Sequence, residues 1–193
     1  MGQYSIPSDT VCYPAKLMHG HIESLIKKGV TKIFYPCMTY NFNEEKGDNH
    51  YNCPVVAYYP ELLKSNMKAL EKVDFMYPYF DLSVKKTFAR KAFKYFKDCI
   101  PNLTHYEFKK ALDSAYRAYE ENHLDICAQG ARAIAYARHH NKNIIVLAGR
   151  PYHVDPEINH GINQLITSLR LVLVTEESIA DMTEPVKVNV LNQ

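Results

Sequence analysis

The chain has 193 residues, of which 47% are hydrophobic and 23% are charged. This balance is typical of a folded globular protein and excludes disordered and low-complexity classes. The net charge of +2, without a basic stripe, argues against a nucleic-acid partner. With no bilayer-spanning apolar run and no signal peptide, we expect a cytoplasmic location and no membrane partner.

The first half of the chain begins with a predicted helix and strand. Apolar spacing predicts a helix over Pro14–Lys28, and the β-branched and aromatic segment Val30–Tyr35 predicts a strand. The polar segment Thr39–Asn52 predicts a long loop, which in compact domains is often functional. Val55–Tyr59 predicts a second strand, and Pro60–Lys72 a helix that starts with proline.

A helical stretch occupies the middle of the chain. The apolar segment Phe75–Leu82, interrupted by a proline, predicts an edge strand or an irregular connection, and a helix is predicted over Ser83–Asp98. Thr104 and Glu107 have the spacing of a capping box, which predicts the start of another helix. We expect Gly130 to divide that helix from a last one.

The last quarter predicts a β-α-β unit. A buried strand is expected over Asn143–Ala148, and Asp155 followed by Pro156 is typical of a helix start. A helix over Glu157–Ser168 then leads to a strand over Leu171–Thr175, parallel to the first.

These elements predict an α/β protein with two Rossmann-like lobes whose parallel sheets are joined by a helical segment. The first lobe, with the helical segment, would span 1–140 and a partial second lobe 141–193. No strand precedes the first helix, and the chain ends soon after the last predicted strand. We therefore expect a truncated piece of a larger protein.

Five cysteines without an export signal are expected to be thiols or metal ligands rather than disulfides. Cys12, Cys37 and Cys53 each lie near a proline at a loop edge, predicted respectively before a helix, after a strand and before a strand. Their thiolates suit an iron-sulfur cluster or zinc. Their spacing matches no Cys-x-x-Cys motif, so structural cysteines are the alternative. Cys99 and Cys127 are expected to pack in the core.

Polar residues surround these cysteines. His19 and His21 follow Cys12 on the first helix, where they would either border a cluster or, more commonly for such residues, face solvent. Asn52 and His50 precede Cys53 and are candidate hydrogen-bond donors to sulfur, which tune a cluster's potential.

A second candidate site is the loop after the strand at 143–148. Arg150 could pair with an anionic group, with His153 and His160 close in sequence, at the strand's carboxyl end, where α/β folds bind ligands. There is no GxGxxG or Walker pattern. This loop is therefore either a contact for an anionic cofactor such as a nucleotide, or a turn that its own polar residues stabilise.

Four segments resemble the large activase-related proteins of the 2-hydroxyacyl-CoA dehydratase system. They are Pro7–Leu17 (PSDTVCYPAKL), Phe34–Cys37 (FYPC), Asn52–Val56 (NCPVV) and Leu147–Gly161 (LAGRPYHVDPEINHG). The resemblance spans nearly the whole chain. The matching region of those proteins is a domain of unknown function similar to the iron-sulfur subunits of 2-hydroxyglutaryl-CoA dehydratase.

The resemblance implies a cysteine-ligated cluster, most often 4Fe-4S, between two lobes. In the dehydratases, an ATP-driven activator passes an electron to such a cluster for reductive dehydration of 2-hydroxyacyl-CoA. Cys12 and Cys37 match the cluster ligands, and Cys53 is the third candidate. The implied partners are an ATPase activator domain, or other domains of the same larger protein, and acyl-CoA. One alternative is a non-catalytic scaffold or docking domain whose cysteines are structural or bind zinc. Another is a nucleotide or CoA-binding module that uses the loop from Arg150 to His160 without any metal.

Overall fold

The computed structural model describes residues 3–6, 10–43, 49–182 and 184. The helices are α1 (Tyr13–Lys27), α2 (Pro54–Asn66), α3 (Lys85–Cys99), α4 (His105–His139), α5 (Pro156–Asn159), α6 (Ile162–Ser168) and α7 (Glu176–Ile179). The strands are β1 (Lys32–Phe34), β2 (Cys37–Tyr40), β3 (Asp74–Met76), β4 (Tyr79–Asp81), β5 (Ile144–Leu147) and β6 (Val172–Thr175). Short turns of 3-10 helix cover Gln3–Ser5, Lys68–Lys72, Pro151–Val154 and Ala180–Met182.

The strands pair in parallel, β1 with β3, β2 with β4 and β5 with β6. This arrangement, with helices between the strands, confirms the α/β class. The finer expectation of two Rossmann-like lobes stays a prediction. None of the helices in the described ranges is long and apolar enough to cross a membrane.

Cys37 lies within a nearly continuous parallel ladder. The pairs β1–β3 and β2–β4 keep one register on either side of Pro36 and Pro78, which have no N–H to donate. The backbone N–H of Cys37 donates to the carbonyl of Pro78 at 2.8 Å, and Cys37 pairs with Tyr79. The expectation that Cys37 lies just past the carboxyl end of a strand is confirmed, because β1 ends at Phe34; Cys37 also begins the next strand, β2.

The predicted strand over Val55–Tyr59 is wrong, because these residues lie in α2. A short run of β-branched and aromatic residues does not distinguish a strand from a buried helix. Pro54 starts the helix, and Pro60 is tolerated inside it as a buried residue. The predicted loop over Thr39–Asn52 begins as strand, since β2 extends to Tyr40; part of this segment, 44–48, lies outside the described residues.

The helix α4 continues through Gly130, so the expected division there is wrong. A Cβ on Gly130 would lie 2.1 Å from the carbonyl oxygen of Ser178, so glycine serves a close backbone approach at this point. The capping box before α4 is confirmed. The Thr104 hydroxyl donates to a Glu107 carboxylate oxygen at 2.6 Å, and the N–H of Glu107 donates back to Thr104 Oγ1 at 3.2 Å.

The β-α-β unit near the end of the chain is confirmed, with Ile144 opposite Val172 in the parallel pair. The expected burial of its first strand is wrong, because Ile144, Ile145 and Val146 are exposed. The single helix predicted over Glu157–Ser168 is wrong. It is divided into α5 and α6 at His160 and Gly161, whose φ angles of 50° and 84° are left-handed and end the first helix.

Packing separates the chain into two compact units, one up to Lys109 and the other beginning at Lys110. The helix α4 therefore starts in the first unit and continues in the second. The domain boundary predicted at residue 140 stays a prediction. The first unit has an apolar core built from α1, α2, β1, β3 and the 3-10 turn Lys68–Lys72, which includes Ala15, Ile22, Ile33, Leu63, Leu70 and Phe75. The second unit buries Ala137, Val172 and Val174.

Candidate functional site

Cys12 and Cys53 occupy equivalent positions, each at the N-cap of a helix. Cys12 caps α1 with φ −61° and ψ 155°, and Cys53 caps α2 with φ −60° and ψ 153°. A proline within the first two helical positions, Pro14 or Pro54, favours a helix start at each point. The position of Cys12 before a helix is confirmed, whereas Cys53 precedes a helix and not the predicted strand. Both residues are exposed. The partial positive charge of a helix N-terminus stabilises a thiolate.

The third cysteine, Cys37, is buried, with no exposed surface. Burial raises the pKa of its thiol, and the nearby Glu61 carboxylate raises it further. The backbone N–H of Glu61, through a hydrogen bond, and the neighbouring side chain of Tyr79 act in the opposite direction and lower this pKa. The one proton of the Tyr79 hydroxyl is donated to the Glu61 carboxylate. The Glu61 N–H is therefore the donor that faces a Cys37 sulfur shielded from water.

The chain returns to β2 immediately before Cys53. The backbone N–H of Asn52 donates to the carbonyl of Thr39 at 3.1 Å, and its side-chain amide donates to the carbonyl of Met38 at 3.0 Å. Met38 follows Cys37, so these bonds attach the residue before Cys53 to the strand next to Cys37. Asn52, a candidate donor to sulfur, therefore makes backbone contacts that position this turn.

Cys12 acts electrostatically on buried Tyr59, and Cys37 acts on half-buried Tyr35. The pKa of Tyr59 is raised by burial and then by the charge of Cys12. The pKa of Tyr35 is raised to about 12 by burial, then by Tyr59 and Cys37. Tyr59 is on α2, and its hydroxyl is 2.9 Å from Nε2 of His19. His19 is fully buried, so the expectation of a solvent-facing histidine is wrong.

The three cysteines belong to elements that pack together, because α1 contacts α2 and α2 contacts β2. Within the described ranges, their sulfurs do not form a group with ligand atoms as close as 4.8 Å, the spacing suited to a single ion. A four-iron cluster is larger than one ion, so its ligand sulfurs stand farther apart. Three thiols suit such a cluster by their chemistry. The ligand roles of Cys12, Cys37 and Cys53 stay predictions.

The loop that contains Arg150 is built by its own hydrogen bonds. The backbone N–H of Arg150 donates to Nδ1 of His153 at 2.9 Å. A Cβ on Gly149 would lie 2.3 Å from the same nitrogen, so the glycine admits this ring. Arg150 is exposed, and His160 is an exposed residue at the left-handed end of α5. Roles of Arg150, His153 and His160 in cofactor binding stay predictions.

Buried Asn159 completes this loop. Its side-chain amide donates to the carbonyl of Val154 at 3.1 Å, and its oxygen accepts from the N–H of Gly161 at 3.0 Å. The helix that follows Arg150, α5, has only four residues, so its dipole is weaker than that of the long helix predicted from the sequence.

Sequence reasoning missed one group of potential ligands in the second unit. His123 Nε2 lies 2.8 Å from Asp181 Oδ2, and Cys127 Sγ lies 3.5 Å from the same oxygen and 3.8 Å from His123 Nε2. Core packing, expected for Cys127, does not describe a half-buried thiol beside two polar side chains. The same expectation for Cys99 is wrong, because Cys99 is exposed. The four-residue spacing of His123 and Cys127, which places both on one helical face, was the available sequence signal.

A cleft of about 540 Å³ lies between β3 and the end of α3. Lys32 and Asp74 form an ion pair at its edge, with 3.2 Å between the charged atoms. Tyr95 lines the cleft, and burial and then Cys99 raise its pKa to about 12. No motif in the sequence indicated this cleft.

The parallel strand pairs and intervening helices define the chain as an α/β protein. Residues 1–179 match the family described as the CoA enzyme activase uncharacterised domain, and the chain therefore belongs to that family. No curated protein and no solved structure matches the chain significantly. The activase-related family expected from the motifs is confirmed, while its similarity to iron-sulfur dehydratase subunits stays a prediction.

Proposed function

We propose that this domain holds a 4Fe-4S cluster through Cys12, Cys37 and Cys53. Its function would be low-potential electron transfer to, or reductive dehydration of, 2-hydroxyacyl-CoA within an activase-related protein. The observation that carries the proposal is the placement of the cysteines on one packed group of elements. Two thiols cap the helices α1 and α2, and the third begins the strand on which α2 packs.

The surroundings of each thiol support this proposal. Helix N-termini favour the anionic form of Cys12 and Cys53. At Cys37, the Glu61 N–H donates toward sulfur. Such a donor offsets the cost of a buried negative charge and tunes the potential of a bound cluster. When bound, the cluster supplies one-electron transfer, and three protein thiolates leave one iron for an outside ligand.

The partners that we propose are an ATPase activator domain, or other domains of a larger protein, as the electron source and acyl-CoA as the substrate. Arg150 is the candidate contact for anionic groups of CoA, because its guanidinium is exposed and suits bidentate pairing with phosphate. His153 would shape this contact by accepting the Arg150 N–H, and exposed His160 would border it.

The cluster is tested by anaerobic reconstitution with iron and sulfide, followed by visible and EPR spectroscopy. We expect Cys12→Ser, Cys37→Ser and Cys53→Ser each to lose most of the bound iron. Cys99→Ser is the matched control and should retain it, because Cys99 lies at the end of α3, outside the proposed ligand set. Full iron retention in Cys12→Ser would contradict the proposal. A colourless chain that binds zinc through these cysteines would favour a non-catalytic scaffold or docking domain.

The CoA contact needs a separate measurement. Calorimetric titration with an acyl-CoA should show weaker binding by Arg150→Ala than by the wild type. Arg132→Ala removes another exposed arginine of the second unit and should bind as the wild type does. Equal affinity for Arg150→Ala and the wild type would exclude Arg150 as the CoA contact.

A further inference from the structure

We propose that His123, Cys127 and Asp181 form a binding site for a zinc-type transition-metal ion in the second unit. His123 and Cys127 lie one turn apart on α4, and Asp181 lies in the 3-10 turn Ala180–Met182. One potential ligand atom from each residue, Nε2, Sγ and a carboxylate oxygen, lies within 4.8 Å of the others. Imidazole, thiolate and carboxylate are all established ligand types for Zn²⁺.

The distances agree with a tetrahedral ion. Usual zinc bond lengths and tetrahedral angles place pairs of ligand atoms about 3.3–3.6 Å apart. The Cys127–Asp181 distance is 3.5 Å and the Cys127–His123 distance is 3.8 Å, close to this range. The His123–Asp181 distance of 2.8 Å is shorter because these atoms share a hydrogen bond. An ion in place of that proton requires them to separate by roughly 0.5 Å.

Asp181 lies beside α4 because the segment that precedes it packs against this helix. Gly130 lies on the same helical face as His123 and Cys127, and its missing side chain admits the backbone of Ser178. Ser178 is held in turn by Thr175, since its N–H donates to Thr175 Oγ1 at 3.3 Å and its hydroxyl donates to the Thr175 carbonyl at 2.8 Å. Asp181 follows three residues later. The carboxylate therefore comes from a short segment anchored on both α4 and β6.

The arrangement suits metal binding better than a nucleophilic triad. In a triad, the carboxylate contacts one ring nitrogen of histidine and the nucleophile contacts the other. Here Cys127 and Asp181 both approach Nε2 of His123. Three ligand atoms that converge on one point are typical of coordination, and three protein ligands leave a fourth position for water or another ligand.

The test is the zinc affinity of the whole 193-residue chain, measured in competition with a chromophoric chelator. We expect one Zn²⁺ per chain at this site, with the affinity at least tenfold weaker in each of Cys127→Ser, His123→Gln and Asp181→Asn. Bound Co²⁺ should show a thiolate charge-transfer band that is absent from Cys127→Ser. Cys99→Ser and His139→Gln are controls that should keep the wild-type affinity. Far-UV circular dichroism checks that each variant retains its helices.

Zinc bound with unchanged affinity by all three variants would overturn the proposal, as would a wild-type chain that binds no zinc at micromolar free concentration. The result is independent of the iron-sulfur proposal. Cys12→Ser should lose iron on reconstitution but keep this zinc affinity. Loss of zinc binding in Cys12→Ser would instead assign the zinc ion to the cysteines of the proposed cluster and reject the site on α4.

Discussion

His19 and Tyr59 connect α1 to α2 inside the first unit, with 2.9 Å between Nε2 of the histidine and the tyrosine hydroxyl. Their rings meet edge to face, with centroids 5.6 Å apart. The other ring nitrogen of His19, Nδ1, is 2.9 Å from the hydroxyl of Ser5. Both nitrogens of this fully buried ring therefore have partners, as a buried polar group requires.

Removal of the Tyr59 hydroxyl should destabilise the first unit. In Tyr59→Phe, Nε2 of His19 loses its partner while remaining buried, and we expect a loss of about 1–3 kcal/mol in the free energy of unfolding. Urea denaturation measures this change. Tyr58→Phe, at the exposed neighbouring position on α2, is the control and should change the free energy by less than about 0.5 kcal/mol. Similar values for the two variants would contradict the structural role of the His19–Tyr59 bond.

The same histidine should make stability dependent on pH. Burial lowers the pKa of His19 below 6.5, and the opposing effect of Glu23 is smaller. Below about pH 6.5 the unfolded chain binds the proton more readily than the folded chain, so the His19 contribution to stability decreases as the pH falls.

Urea denaturation between pH 7.5 and 5.5 tests this linkage. His19→Gln should show a shallower decrease than the wild type over this range. His139→Gln, at the exposed end of α4, serves as the control and should follow the wild type. Parallel pH profiles for the wild type and His19→Gln would be the contrary result.

Gly130→Ala should destabilise the second unit. The added Cβ meets the Ser178 carbonyl oxygen at 2.1 Å, and backbone must move to relieve the overlap. We expect a loss of about 1–3 kcal/mol, typical of overpacking, in spite of the higher helix propensity of alanine. Gln129→Ala, at the exposed adjacent residue, should be nearly neutral. A more stable Gly130→Ala variant would show that α4 and α7 do not require this close approach.

The capping box at the start of α4 should contribute measurably to the free energy of unfolding. Thr104→Ala removes both the hydroxyl donor to Glu107 and the acceptor for its N–H, and we expect a loss of about 1 kcal/mol in urea denaturation. Thr104→Ser keeps the hydroxyl and should retain most of the stability. Equal losses in the two variants would indicate that the threonine methyl group, and not the cap, accounts for the effect.

The cysteine variants should differ in stability without any cluster. Cys12 makes no side-chain capping bond, and serine is a preferred N-cap, so Cys12→Ser should be neutral or more stable by roughly 0.5 kcal/mol. Cys37→Ser places a hydroxyl at a fully buried position and should cost about 1–3 kcal/mol. Thermal unfolding of the apo variants checks this order. The reverse order would show that iron loss in Cys12→Ser has to be attributed to unfolding.

Local signals predicted much of this fold correctly. A proline near the start and a glycine after the end predicted α1. The spacing of Thr104 and Glu107 predicted the start of α4, and runs of β-branched residues predicted β5 and β6 as a parallel pair. Each of these signals acts through backbone sterics or hydrogen bonds within a few residues, so the sequence window contains all of the interacting groups.

Features that depend on distant partners were not predictable in this way. The segment 55–59 forms helix because it packs against β2, although its residue types favour a strand. His19 is buried because Tyr59, forty residues away, offers a hydroxyl. His123 and Cys127 were readable as one helical face, but only chain folding brings Asp181 beside them through the contact of Ser178 with Gly130. Helix starts and ends are determined by the backbone sterics and hydrogen bonds of neighbouring residues, so the sequence alone predicts them. Side chains far apart in sequence come into contact only when the core packs, so only the tertiary structure determines those contacts.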